Sequence, residues 1–171
     1  GFSHADIGRE VARFLLGKGR RRLALIRADD ERAARRADAF RAAVARAGHG
    51  PVTEVNVGAS RSLRSGRDAL VRLLEQRPDV DAVFCSSDLL ALGAATEARV
   101  RGIAIPDRLA LVGFGDVSFA ADMAPALSTV RINGADIRRQ AARWLIDRAE
   151  GREVSPRVQD VGFSIVERET S

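Results

Sequence analysis

The short apolar run Ala82–Cys85 is followed by three small polar residues, Ser86, Ser87 and Asp88. The apolar run predicts a buried central strand, and residues 89–101 predict the helix that follows it. Asp88 stands where the N-cap of this helix is expected, so its carboxylate would accept hydrogen bonds from free N–H groups. Ligands of open α/β sheets bind where strands end and helices begin, which predicts a binding site here.

Charged side chains adjoin the loops that we expect to meet these residues at one edge of the sheet. The loops are residues 28–30, 58–62, 86–88 and 115–116, and they contain Asp30, Arg61 and Asp116. Two more candidates, Arg32 and Arg36, lie in the first turns of the helix after the first loop. Arg36 is four residues before Phe40 and eight before Val44, so it shares their inward stripe. A crevice of hydroxyls, carboxylates and arginines suits a polyhydroxylated or anionic small molecule.

Alternating strands and helices must position these side chains. Apolar strands begin near residues 22, 52, 81 and 108, about one βαβ unit apart, and helical stripes separate them. This pattern predicts an α/β fold, a parallel sheet with helices on both faces. Right-handed crossovers then bring all carboxyl ends of the strands to one edge. The helix over residues 89–101 is apolar nearly all round, so one of its faces should need a second partner.

Composition excludes several classes of protein. The 171 residues are 46% hydrophobic and 30% charged, typical of a soluble globular domain, and no stretch is apolar enough to span a membrane. The net charge of +5 comes mostly from arginines spread through every helix, without aromatic residues to stack on bases. We therefore expect no direct nucleic-acid binding, a cytoplasmic location, and a chain that is a fragment of a longer protein.

The residues needed for catalysis or metal binding are absent from the sequence. There is no G-x-S-x-G elbow, P-loop or G-x-G-x-x-G motif, and the two histidines belong to no Cys/His cluster. Cys85 lies in the predicted buried strand, where a free cysteine packs as a small hydrophobe. We expect no cofactor, no metal and no enzymatic activity. An enzyme on a flavodoxin-like sheet is a third, weaker interpretation.

Eight segments in order resemble the effector-binding domain of LacI/GalR-type transcriptional regulators, whose fold is that of periplasmic sugar-binding proteins. The resemblance spans nearly the whole chain. The segments are FSH at 2–4 leading into Gly8, LGKGRR at 16–21, RADAF at 36–40, FCSSDLLALG at 84–93, GIAIPD at 102–107, VGFGD at 112–116, PALSTV at 125–130 and VER at 166–168.

The resemblance implies a domain organisation and partners. Residues 1–131 would form the C-terminal lobe, residues 132–158 would belong to the N-terminal lobe of the intact protein, and residues 159–171 would return to the C-terminal lobe. Such regulators are homodimers that bind operator DNA through a helix-turn-helix headpiece, which this chain lacks. Their effector is a small molecule bound between the lobes. The alternative within the same fold is a periplasmic or extracellular solute-binding protein of a sugar transporter.

The resemblance also assigns site residues. Arg36 matches the family's effector-binding arginine, Asp30 and Arg32 match positions that line the same pocket, and Ser87 matches a position that is often Asn, beside Asp88. Gly115 stands where many members have a ligand-binding Asp. Losing that carboxylate lowers repulsion toward an anion, and Arg61 and Arg131 add positive partners. The pattern is most similar to the gluconate-type regulators, which implies a sugar-acid effector.

Overall fold

The computed structural model describes residues 3–151 and 162–171. Its strands are Leu23–Arg27 (β1), Thr53–Asn56 (β2), Ala82–Cys85 (β3), Ala110–Phe114 (β4), Ser128–Ile132 (β5) and Phe163–Val166 (β6). Its α-helices are His4–Gly17 (α1), Glu31–Arg46 (α2), Leu63–Gln76 (α3), Asp88–Val100 (α4) and Gly134–Ala149 (α5). A short 3-10 helix, Ala120–Asp122, lies between β4 and β5.

The strands form one sheet in the order β2-β1-β3-β4-β5-β6. The first five strands are parallel, and β6 pairs antiparallel with β5. The predicted parallel sheet is therefore confirmed, and only its last strand runs the other way. Because the connections return each strand in the same direction, the loops after β1, β2, β3 and β4 share one edge.

Both faces of the sheet are covered by helices, as the alternating pattern predicts. Leu23 and Leu25 of β1 pack with the apolar stripes of α1 and α2, whereas Ala24 and Ile26 pack with those of α3 and α4. Successive residues of a strand point to opposite faces, so a strand buried on both sides must be apolar throughout. The two cores make the sheet edge a rigid platform for the loops it carries.

One face of α4 is buried and the other borders a surface groove. Leu90, Ala91 and Ala94 are fully buried against the sheet and α3. On the outer side lies a groove of about 850 Å³, whose apolar lining includes Leu92, Ala95, Ile103, Ile105, Met123 and Pro125. The helix is therefore apolar on two sides, as its sequence indicates, although the described residues cover only one of them.

Candidate functional site

A cavity of about 520 Å³ opens at the carboxyl edge of β1, β3 and β4. Its polar lining comes from the start of α1, the loops after β1, β2 and β3, and the first turns of α2. Five predicted site residues line it, namely Asp30, Arg32, Arg36, Arg61 and Ser87. The topology thus brings these five side chains, which are up to 57 positions apart in sequence, to one place.

Arg36 forms the floor of this cavity and is almost completely buried, with 5% of its surface exposed. Its Nη1 lies 2.8 Å from His4 Nδ1, its Nη2 lies 3.5 Å from the Ser86 carbonyl oxygen, and its guanidinium carbon lies 3.9 Å from the Phe114 ring centroid. Within the described ranges its buried Nε has no hydrogen-bond partner, and no carboxylate forms an ion pair with it.

Burial lowers the pKa of Arg36 from its usual value to about 10, with Arg61 and Arg32 adding to the effect and the Asp30 carboxylate opposing it. The guanidinium therefore stays charged at neutral pH, at a cost in free energy. A buried cation that lines the cavity and has no ion-pair partner among the described residues favours a negatively charged or oxygen-rich ligand there.

Asp30 is held in place as the N-cap of α2. One carboxylate oxygen accepts a hydrogen bond of 2.8 Å from the Ala33 amide, and the other accepts one of 2.6 Å from Arg61 Nη2. Burial raises the pKa of Asp30, but the Ala33 amide and the nearby Arg61 and Arg36 charges together lower it by more, so the pKa falls below 3.8 overall. Asp30 is therefore an ionised acceptor that also orients Arg61 over the cavity.

The serines after β3 are fixed by the backbone around them. Ser86 Oγ accepts a hydrogen bond of 2.9 Å from the Ala28 amide, which ties the loops after β1 and β3 together. Ser87 is the N-cap of α4, because its hydroxyl accepts from the Leu90 amide at 3.3 Å. The prediction that Asp88 caps this helix is wrong, since Asp88 is its first residue and lies inside the protein.

Asp88 does not line the cavity and is 1% exposed. Its carboxylate accepts hydrogen bonds from Thr129 Oγ1 at 2.5 Å and from the Val117 amide at 2.8 Å. Burial raises its pKa above 3.8. A Cβ at Gly113 would lie 2.2 Å from this carboxylate, so a glycine is required beside it. Asp88 thus joins α4 to the loop after β4 and to β5.

Asp116 and Arg131 also lie outside the lining of this cavity. Asp116 accepts hydrogen bonds from Arg131 Nε at 2.6 Å, and it forms an ion pair with Arg168 Nη2 at 2.8 Å. Burial raises its pKa, but the hydrogen bonds from the two arginines lower it below 3.8 overall. Gly115, with φ +125°, lines the cavity in a conformation that side chains rarely adopt.

His4 and Phe114 line the cavity, although their sequence positions gave no reason to place them there. His4 is the first residue of α1, and Gly8 follows it one turn later. A Cβ at Gly8 would lie 2.0 Å from the Arg36 carbonyl oxygen, so only glycine lets α1 approach α2 this closely. The glycine inside a helical stripe was the available signal for this contact.

The side chains and helices of residues 3–151 and 162–171 bear on two other roles, metal binding and membrane insertion. No group of three or more His, Cys, Asp or Glu side chains there has an arrangement that could hold a metal ion. No helix in these ranges combines the length and the hydropathy needed to cross a bilayer.

A parallel sheet whose carboxyl edge carries one wall of a polar cleft is the architecture of one class of binding domains. Residues 12–171 match the periplasmic binding protein-like domain family, and the chain belongs to that family.

The relatives define the type of protein more closely. The chain is 38% identical over its full length to the HTH-type transcriptional regulator GntR of Pseudomonas aeruginosa, and it covers 50% of that protein. It is 40% identical to the solved transcription regulator GntR from Chromobacterium violaceum, with a TM-score of 0.91, covering 100% of this chain and 64% of that one. A solved LacI family transcriptional regulator from Silicibacter pomeroyi has a TM-score of 0.88 at 28% identity, and the match covers 99% of this chain and 63% of that one.

The chain therefore matches one region of LacI-type transcription regulators. The chain spans about half the length of the curated relatives it matches.

Proposed function

We propose that this chain contains the C-terminal lobe of an effector-binding domain, and that its cavity holds the carboxylate of a sugar acid against Arg36. The single observation that carries the proposal is the buried Arg36 guanidinium, 5% exposed, which lines the cavity and has no ion-pair partner among the described residues. A protein interior tolerates such a charge at a cost, and an anionic ligand would remove that cost.

The surroundings of Arg36 favour an anion over a neutral sugar. Arg61 and Arg32 also line the cavity. Of its two lining carboxylates, Asp30 is bound by Arg61 and a backbone amide, and Glu31 is bound by Arg35. Gly115 contributes no carboxylate to the lining, and its φ of +125° disfavours any side chain there. A carboxylate bonded to Arg36 would gain about 1.5–3 kcal/mol from each charge-assisted hydrogen bond.

Polar groups at the rim would bind the hydroxyls of the ligand. Asp30 has carboxylate lone pairs left to accept from a sugar hydroxyl, and Arg32 and Arg61 donate from the exposed rim. Ser87 lines the cavity but already uses its hydroxyl as a cap acceptor, so it retains its own O–H to donate.

The remaining predicted residues would act through the loops they hold. Asp88 fixes the Val117 amide, and the ion pairs of Asp116 with Arg131 and Arg168 fix the same loop beside Gly115. We assign Asp88, Asp116 and Arg131 to maintaining the shape of the cleft rather than to direct contact with ligand.

The lobe assignment follows the predicted organisation. Residues 1–131 and 159–171 would form the C-terminal lobe, and residues 132–158 would belong to the N-terminal lobe, which completes the cleft. Leu145 and Ile146 of α5 are 71% and 55% exposed, which favours their burial against that lobe in the longer protein. Because the described residues provide one wall of the cleft, binding requires the full-length protein.

The outer groove of α4 supports the proposed homodimer. Its lining is mostly apolar, including Leu92 and Met123, and Arg99 and Glu169 are its charged members. A mostly apolar surface with a few polar groups is typical of a subunit contact. Leu92→Glu in the full-length protein should convert the dimer to a monomer in sedimentation velocity, while Val100→Glu, outside this lining, should leave it dimeric.

The relatives favour a regulator over a transport protein, since those reported above are named as transcription regulators. We therefore propose a non-enzymatic, cytoplasmic role in which operator DNA is bound through a headpiece outside this chain.

A thermal-shift panel on the full-length protein tests the ligand class. Sugar acids such as gluconate should raise the melting temperature, whereas neutral hexoses and purines at equal concentration should not. A shift with purines or neutral sugars alone would contradict the proposal.

A further inference from the structure

We propose that His4 is a positioning residue for Arg36 that couples effector binding to proton uptake, an inference that rests on the proposed anionic effector. His4 Nδ1 lies 2.8 Å from Arg36 Nη1, and both residues line the cavity. The site would therefore bind its anion more tightly as the pH falls toward the range in which histidine titrates.

The chemistry of the contact fixes the state of His4 in the unliganded site. A guanidinium N–H can only donate, so His4 Nδ1 must be the acceptor. The imidazole is then neutral and carries its proton on Nε2. A protonated His4 has no acceptor left, so it would have to give up this hydrogen bond and would repel the guanidinium.

The contact is built by the packing of two helices rather than by a flexible surface pair. Gly8 lies one turn after His4 and touches the Arg36 carbonyl oxygen, which sets the distance between α1 and α2 at this level. Below it, Ile7 and Val11 of α1 pack in one core with Phe40 of α2. The His4 ring and the Arg36 guanidinium are thus held against each other by buried backbone.

The charges around His4 determine how it responds to a ligand. Burial lowers its pKa below 6.5, the Arg36, Arg32 and Arg35 charges of α2 lower it further, and the Asp30 carboxylate opposes them. On its own helix, Asp6 forms an ion pair with Arg9. A carboxylate bound at Arg36 would cancel part of the positive field at His4, so the pKa of His4 should rise on binding. A ligand that raises this pKa must bind with proton uptake.

Protonation of His4 is compatible with an anion bound at Arg36. Once an anion occupies the cavity, His4 is no longer needed as the acceptor for Arg36, because the ligand oxygens take that role. The imidazolium can then donate from both ring nitrogens, and the anion shields the two cations from each other.

Titration calorimetry of the full-length protein with gluconate tests this inference. Runs at about pH 6.5 in two buffers of different ionisation enthalpy give the number of protons taken up. We expect uptake of roughly 0.3–0.8 proton in the wild type and an affinity gain of about three- to tenfold from pH 8 to pH 5.5. Gluconate stays ionised throughout, because ordinary carboxyl groups have pKa values of about 4.

Two variants separate positioning from a purely structural role. His4→Gln keeps an acceptor for Arg36 but cannot titrate, so near pH 8 it should bind gluconate within about twofold of the wild type and show no proton uptake. His4→Ala removes the acceptor and should bind about three- to tenfold more weakly at the same pH. His49→Gln, in the turn after α2 and outside the cavity lining, is the control and should keep the wild-type uptake.

Each contrary result has its own meaning. Gluconate binding by the wild type without proton uptake, or with equal uptake in His4→Gln, would overturn the role of His4 and leave the proposed function standing. No binding of gluconate or any other sugar acid by the wild type would overturn both.

Discussion

Replacing Arg36 by methionine should separate the stability of the protein from its binding function. Methionine has a similar length and no charge, and it can fill the buried channel that the arginine stem occupies. The variant should lose binding of a sugar acid, because the cation is gone. It should nevertheless be as stable as the wild type or more stable, because Arg36 is a buried charge without an anionic partner in the described structure.

The expected magnitude follows from three contributions. The fall in the Arg36 pKa from its usual value to about 10 means that the charged form costs the folded state roughly 3 kcal/mol, and this cost applies at every pH below about 10. The hydrogen bond to His4 contributes about 1 kcal/mol and the contact with the Phe114 ring about 0.5–1 kcal/mol in the opposite direction. The variant should therefore gain between about 0 and 2 kcal/mol in free energy of unfolding.

Urea denaturation followed by circular dichroism at pH 7 measures this change in the full-length protein without ligand. Arg35→Met is the matched control, since the Arg35 side chain is 66% exposed and forms a surface ion pair with Glu31. That control should change stability by less than about 0.5 kcal/mol and leave binding intact. A loss of more than about 2 kcal/mol in Arg36→Met would show that the guanidinium holds the fold together, contrary to the expected cost of its burial.

Two further predictions concern the frame of the site. Gly8→Ala places a Cβ 2.0 Å from the Arg36 carbonyl oxygen, so it should weaken gluconate binding. It should also cost about 1 kcal/mol of stability, the net of an overpacking penalty and a gain in helix propensity. Gly17→Ala has open space around it and should be tolerated in the same urea and calorimetric assays. Asp116→Asn keeps a residue that tolerates φ +51° but loses the charge, so it should be about 1–2 kcal/mol less stable at pH 7. Because the folded-state pKa of Asp116 is lowered, its contribution to stability is present above about pH 4 and is lost as the pH falls through that pKa. The stability difference between wild type and variant should therefore shrink in urea titrations near pH 3. An equal difference at about pH 7 and about pH 3 would contradict a stabilising role of the ionised Asp116.

The sequence pattern predicts the parts of the fold that local chemistry determines. The continuous apolar run of β3 and the inward spacing of Arg36 from Phe40 and Val44 led to a buried strand and a buried arginine, and both are confirmed. These features depend on the period of helices and strands, which can be counted along the chain.

The N-cap of α4 depends on contacts that the local sequence does not show. Ser87 and Asp88 are both favourable N-cap residues, so the local sequence does not choose between them. The choice is made by Thr129 and the Val117 amide, which give the Asp88 carboxylate buried partners from distant parts of the chain. Only the packing of β4 and β5 beside α4 reveals this.

His4 was missed for a similar reason. Nothing in its immediate neighbours indicates a buried partner, because Arg36 is 32 residues away and on another helix. Their contact depends on the close approach of two helices at Gly8. Arg131, in turn, was expected to attract an anionic ligand, but Asp116 is already bound to it.

The most direct test of the central claim compares two ligands that differ only in charge at one end. D-gluconate and D-glucitol share a chain of five hydroxyl-bearing carbons, but gluconate has a carboxylate where glucitol has another CH₂OH. Calorimetric titration of the full-length protein should give at least about a hundredfold tighter binding of gluconate, and Arg36→Met should reduce this preference to less than about tenfold. Equal affinities of the wild type for the two ligands, or an unchanged preference in the variant, would contradict the claim that Arg36 binds the carboxylate of the effector.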